Sequence, residues 1–170
     1  DLMSTASLDL LQSNLAPAVH AARDRATLVF DCLDQYLQAS REPVARLTAD
    51  FALHPIWKNG LAESLGALLR ELALLQDGLR LVRERMEANG PPREGVASLL
   101  AEIRGVARRL EGAGDALQRA LVPAPGDEAA LVRWLEVRGR DRNVAATAVP
   151  LDIAPILRED LFRRVTTAVV

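Results

Sequence analysis

Four arginines and one tryptophan fall between residues 133 and 142: Arg133, Trp134, Arg138, Arg140 and Arg142. A guanidinium is a planar fork of donors that matches phosphate oxygens. An indole face stacks on nucleobases, and the two together are what single-stranded nucleic acid asks of a protein groove. The same residues support a plainer reading. Asp141 and Glu136 lie among the arginines as ready ion-pair partners, and a strand tryptophan beside aliphatic residues suits a core. Both readings stand at this stage, with Arg133, Arg138, Arg140 and Arg142 as candidate phosphate contacts. A second, weaker basic group is Arg80, Arg83 and Arg85, offset by Glu84 and Glu87.

Little else in the chain carries chemistry. No Gly-x-x-x-x-Gly-Lys-Ser/Thr loop is present, and the single lysine, Lys58, sits in no such motif. There is no Asp-Glu-Ala-His box, so the chain by itself is not expected to hydrolyse ATP. His20 and His54 lack cysteine or carboxylate partners at ligand spacing, which argues for structural roles. One cysteine, Cys32, excludes an intrachain disulfide and a four-cysteine cluster site. It reads as a small core residue of an intracellular, cytoplasmic protein. No cofactor or metal is expected in this chain. Glu84, Glu87, Glu102 and Glu111 lie among arginines and suit exposed pairs of small energetic value.

A net charge of −2 removes any global basic field, so contact with nucleic acid must come from a local patch. Apolar residues make up 49% of the chain, enough for a packed core. No uninterrupted apolar run of about 18 residues occurs, so no membrane span is expected.

The elements that must position these residues are mainly helical. An amphipathic segment, Leu2 to Leu15, precedes Pro17, which suits the first turn of a helix reaching Ser40. Ala22, Ala26, Val29, Leu33 and Tyr36 give that helix one apolar face. Glu42-Pro43 interrupts it, and residues 43 to 60 read as short helical turns and a loop, with Trp57 as a packing anchor or a partner contact. Leu61, Leu65, Leu68, Leu72, Leu75, Leu79, Val82 and Met86 then alternate spacings of four and three. Val96, Leu99, Ile103, Val106, Leu110, Ala113, Leu117 and Ala120 do likewise. Both are a/d seams. Asn89-Gly-Pro-Pro92 between them stops one helix and starts the next, predicting an antiparallel pair about 40 Å long. Gly105, Gly112 and Gly114 weaken the second helix, either for close packing or for bending. Pro123-Ala-Pro-Gly126 marks a boundary. Beyond it, Leu131 to Val137 and Val144 to Val149 read as a β-hairpin with a charged tip. Asp152 suits the cap of a helix from Ile153 to Phe162, and Val165 to Val170 reads as a strand. A buried-type strand at the very end of the sequence leads us to expect a piece of a longer protein.

The order Ala148-x-Pro-Leu-Asp-Ile-x-x-x-Leu-Arg158, Leu161-Phe162, Val165-Thr-Thr-Ala-Val-Val170 resembles the segment before the Thr-Ser-Ala-Thr motif of DinG-like and XPD-like superfamily 2 DNA helicases. Arg133 to Val170 carries the resemblance; the residues before it match in architecture alone. The resemblance implies that residues 1–125 are an Arch-type helical insertion. It implies that residues 128–170 are a β-hairpin, helix and strand of the first motor domain. It further implies a parent with ATP-driven 5′→3′ translocation on single-stranded DNA, in repair or replication at the bacterial nucleoid. That parent would use ATP and magnesium, and the remaining motor domains would be the chain's partners. Whether the parent holds an iron–sulfur cluster is left open, since its cysteines would lie elsewhere. Two other readings come from the residues alone. One is a stand-alone helical protein–protein interaction module. The other is a sensor with a pocket between helices.

Overall fold

The computed structural model describes residues 9–88, 94–126, 130–154, 158 and 163. Among these, three long helices and a small antiparallel sheet share one core. Helix α1 spans Ala16–Ser40, with Pro17 in its first turn, and a wide helical turn, Leu11–Leu15, runs into it. It stops where Arg41 turns left-handed at φ 58° and its N–H closes on the Gln38 carbonyl. Pro43 follows and cannot rejoin a helix. Helix α2 spans Ala62–Glu87 and helix α3 spans Glu94–Leu121. Their connection, residues 89–93, lies outside the described residues.

Contacts fix the helix directions. Glu87 meets Arg104, while Leu69 and Leu72 approach Gly114, so α2 and α3 run antiparallel as their spacing predicts. Tyr36 meets His54 near one end of α2, and Leu15 meets Gly78 farther along it, so α1 and α2 also run antiparallel. Val29 and Leu33 of α1 are fully enclosed with Leu61, just before α2, and Leu65 in its first turn. Burying each such side chain contributes about 1.5–3 kcal/mol.

The seam of α3 differs from the expected one. Val96, Ile103, Leu110 and Leu117 do pack against the core. Between them Leu100, Ala107, Gly114 and Leu121 turn inward, while Leu99 and Val106 stay 42% and 37% exposed. The apolar arc of this helix is wider than one seam. Along most of α3 the Leu99–Val106 flank of that arc finds no neighbour, while at the helix end Ala120, on the same flank, is fully buried as its spacing predicts.

The sheet holds strands β1 (Val44–Arg46), β2 (Leu131–Arg138) and β3 (Asn143–Pro150) in spatial order β1-β2-β3, both pairs antiparallel. The hairpin of β2 and β3 falls where the alternating pattern puts it. β1 was not expected: residues 43 to 60 read as turns and loop, yet Val44–Arg46 pairs with Trp134–Glu136. Val137 N–H donates to the Pro43 carbonyl and Leu47 N–H to the Arg133 carbonyl, flanking that pairing. Three residues carry too little periodicity to announce a strand; the neighbour β2 makes it one. The sheet thus draws strands from both sides of the Pro123–Gly126 boundary.

The Asp152 carboxylate accepts the Ala154 N–H at 2.9 Å. The helix expected over Ile153–Phe162 lies, apart from residues 153, 154 and 158, outside the described residues, and so does the whole strand expected over Val165–Val170. The same holds for residues 1–8.

Candidate nucleic-acid interface

Strand alternation decides which of the four arginines reaches solvent. Leu131, Arg133, Leu135 and Val137 share one face of β2, and cross-strand neighbours share their faces. Ala45, Ala146 and Ala148 therefore lie on that inner face, packed against the core with Leu135 and Val137. Arg133 goes in with them and is 4% exposed. Its Nη1 donates to the Ala120 carbonyl oxygen in the last turn of α3, at 3.1 Å. That carbonyl is one of the helix end's unpartnered acceptors, where a cation is favoured. A guanidinium so enclosed is not open to a phosphate, and Arg133 leaves the candidate set. The signal was present in the sequence: Arg133 occupies the same phase as Leu131, Leu135 and Val137.

The other three sit at or near the hairpin tip, and all are exposed. The tip, residues 139–142, turns with Gly139 at φ 71° and Arg142 at φ 53°. Among the described residues, Arg140 and Arg142 make no ion pair. Arg138 is held. Its Nε and Nη2 both donate to Glu136 Oε1, the former at 2.9 Å, and its Nη2 also lies 3.5 Å from Thr147 Oγ1. Trp134 Nε1 donates to the same Glu136 oxygen at 3.1 Å. The Arg138 guanidinium and the Trp134 indole N–H hold the Glu136 carboxyl below its usual range.

Trp134 is not a core residue. It lies half-buried on the outer face with Val132, Glu136 and Arg138, and none of these joins the core cluster. Trp57, by contrast, is an anchor. Its ring lies 5.4 Å from Phe51, which meets Tyr36 edge-on at 5.1 Å. His54 belongs to this cluster. It meets Tyr36 edge-on at 5.0 Å, and its Nδ1 accepts the Ile56 N–H. His20 is exposed on α1, far from it, and Cys32 is half-buried against the core.

The second basic group resolves differently. Arg80 and Arg83 line a groove of about 350 Å³ between α2 and α3, joined by Arg104 and Arg108. Asp77 and Glu111 line it too. Asp77 pairs with Arg80 at 3.0 Å, while Glu87 binds Arg104 at 2.5 Å and lies 3.8 Å from Arg83. Arg83 Nε is buried without a hydrogen bond. Arg80 and Arg104 are thus paired with acids, whereas Arg140 and Arg142 at the hairpin tip make no ion pair among the described residues, so the tip is the better seat for an anionic chain. Among the described residues, no three histidine, cysteine or carboxylate side chains gather as a metal site, and no helix is long and apolar enough to cross a membrane.

No protein-family model, curated protein or solved structure matches this chain.

Proposed function

We propose that this chain is the Arch-type insertion, with the adjoining motor-domain segment, of a DinG-like ATP-dependent DNA helicase. In this reading its own role is to hold and gate single-stranded DNA while ATP is used elsewhere in the parent. One observation supports it above the rest: the exposed Arg138, Arg140 and Arg142 at the tip of a hairpin whose second strand leads directly into Pro150-Leu-Asp-Ile153. A stiff antiparallel helix pair beside that hairpin suits a gate, because interlocked seams resist bending.

The test is binding of a fluorescent oligothymidine at several salt concentrations. Affinity should fall steeply with salt, and Arg138→Ala/Arg140→Ala/Arg142→Ala should reduce the log–log slope by about 2, at about 0.7 per phosphate contact for single strands. A triple variant that binds like wild type removes the hairpin from the interface.

The exposed Leu99 and Val106 of α3 favour a second reading, a helical protein–protein interaction module. It predicts that sedimentation shows self-association which Leu99→Gln/Val106→Gln abolishes.

A further inference from the structure

The outer face of the sheet has a defined composition. Register places Arg46, Trp134 and Thr147 in one row across the three strands, with Val44, Glu136 and Ala145 in the next. Arg138 follows along β2, opposite Asn143. A half-buried indole therefore lies between two cationic residues, Arg46 on one neighbouring strand and Arg138 farther along its own. The only acid in these rows, Glu136, has its charge taken up by Arg138. Its Oε1 also holds the indole edge through Trp134 Nε1, which restricts the ring on the sheet. Arg46 is exposed and makes no ion pair among the described residues.

We propose that this face is a base-stacking platform for single-stranded nucleic acid, with Trp134 as the stacking residue and Arg46 and Arg138 holding phosphates on either side. Glu136 is the positioning residue that fixes both the indole and the Arg138 guanidinium. The proposal rests on the single-strand reading above and adds to it a contact of another kind. Stacking depends on ring area and little on salt, whereas phosphate contact depends on salt. Charge complementarity selects the occupant: Arg138 and Glu136 offset each other, and Arg46, Arg140 and Arg142 stand against Asp141 alone, so this face and tip keep an excess of positive charge in a chain of net charge −2.

The experiment uses the whole chain carrying Trp57→Phe, so that Trp134 is the only indole. Oligothymidine should quench its emission, with the same midpoint as the anisotropy titration. Trp134→Ala should weaken binding about tenfold or more, the range of one lost base stack, and leave the salt slope unchanged. Trp134→Phe should recover most of the affinity, which also separates stacking from a folding defect. If Trp134→Ala binds as tightly as the parent while the arginine triple variant is weakened, the platform is wrong and the single-strand reading survives. If wild type binds no oligothymidine, both fall. If the indole instead reports a concentration-dependent dimer that oligothymidine does not disturb, this face is a self-association surface and the platform is overturned.

Discussion

Arg133 Nη1 donates to the Ala120 carbonyl oxygen, tying β2 to the last turn of α3 across 3.1 Å. A buried guanidinium left with a helix-end acceptor is worth more than an average neutral bond, because removing it strands the carbonyl away from water. Arg133→Met keeps much of the apolar volume and deletes the donor. It should cost about 2 kcal/mol, read as a lower urea midpoint with an unchanged slope. An unchanged midpoint would mean that the contact contributes nothing to stability. The salt dependence of oligothymidine binding should match wild type, since this arginine is enclosed.

Gly78 of α2 lies directly against Leu15, the last residue of the turn that runs into α1. A Cβ built there overlaps Leu15 Cδ2 and stands 3.0 Å from Leu15 Cγ, and Leu15 is itself buried. Gly78→Ala gains up to about 1 kcal/mol of helix propensity and loses more to overpacking, about 1–3 kcal/mol. The melting temperature should fall. Gly112 is the control, since nothing lies within 4 Å of its added Cβ. Gly112→Ala should raise stability by about 0.5–1 kcal/mol.

These two glycines show what the sequence can reveal. Helix seams repeat over many residues, so the long helices and the hairpin were legible from spacing alone. Close approach is a pairwise fact. Gly105, Gly112 and Gly114 cluster in one helix, yet none has a backbone or rigid neighbour at its Cβ. Gly78 lies inside a regular seam, and its reason is Leu15, distant in the chain. The candidate site divides the same way. Alternation along β2 already grouped Arg133 with the apolar phase and Trp134 with Glu136. It did not say which phase faced the core, because that depends on where α3 ends and on β1, a strand of three residues that exists only through its partner.

Glu136 gives the fold a defined acid sensitivity. Its carboxyl is held below the ordinary value of 4.5, first by the Arg138 hydrogen bonds and then by the Trp134 indole. A depressed folded-state pKa adds stability above the unfolded value and loses it as pH falls through the folded one. Glu136→Gln should therefore be less stable than wild type near neutral pH. The gap should narrow as pH drops below about 4.5. Thermal melts of both proteins from pH 7 downward measure it; a gap that stays constant with pH would show that the carboxylate's charge is not what Arg138 and Trp134 hold.

Arg142 separates charge from backbone. Its φ of 53° lies in the left-handed region, which costs an L-residue about 1–2 kcal/mol and glycine almost nothing. Arg142→Gly relieves that strain while adding freedom to the unfolded chain, so stability should stay within about 1 kcal/mol of wild type. The same substitution removes one exposed guanidinium from the tip, and the single-strand salt slope should fall by about 0.7. Arg142→Val removes the same charge but places a β-branched side chain at positive φ, where it is a genuine outlier. It should melt lower than Arg142→Gly and show the same salt slope. If the two variants bind oligothymidine with different slopes, the geometry of the turn carries the binding; if they share a slope equal to that of wild type, Arg142 makes no phosphate contact.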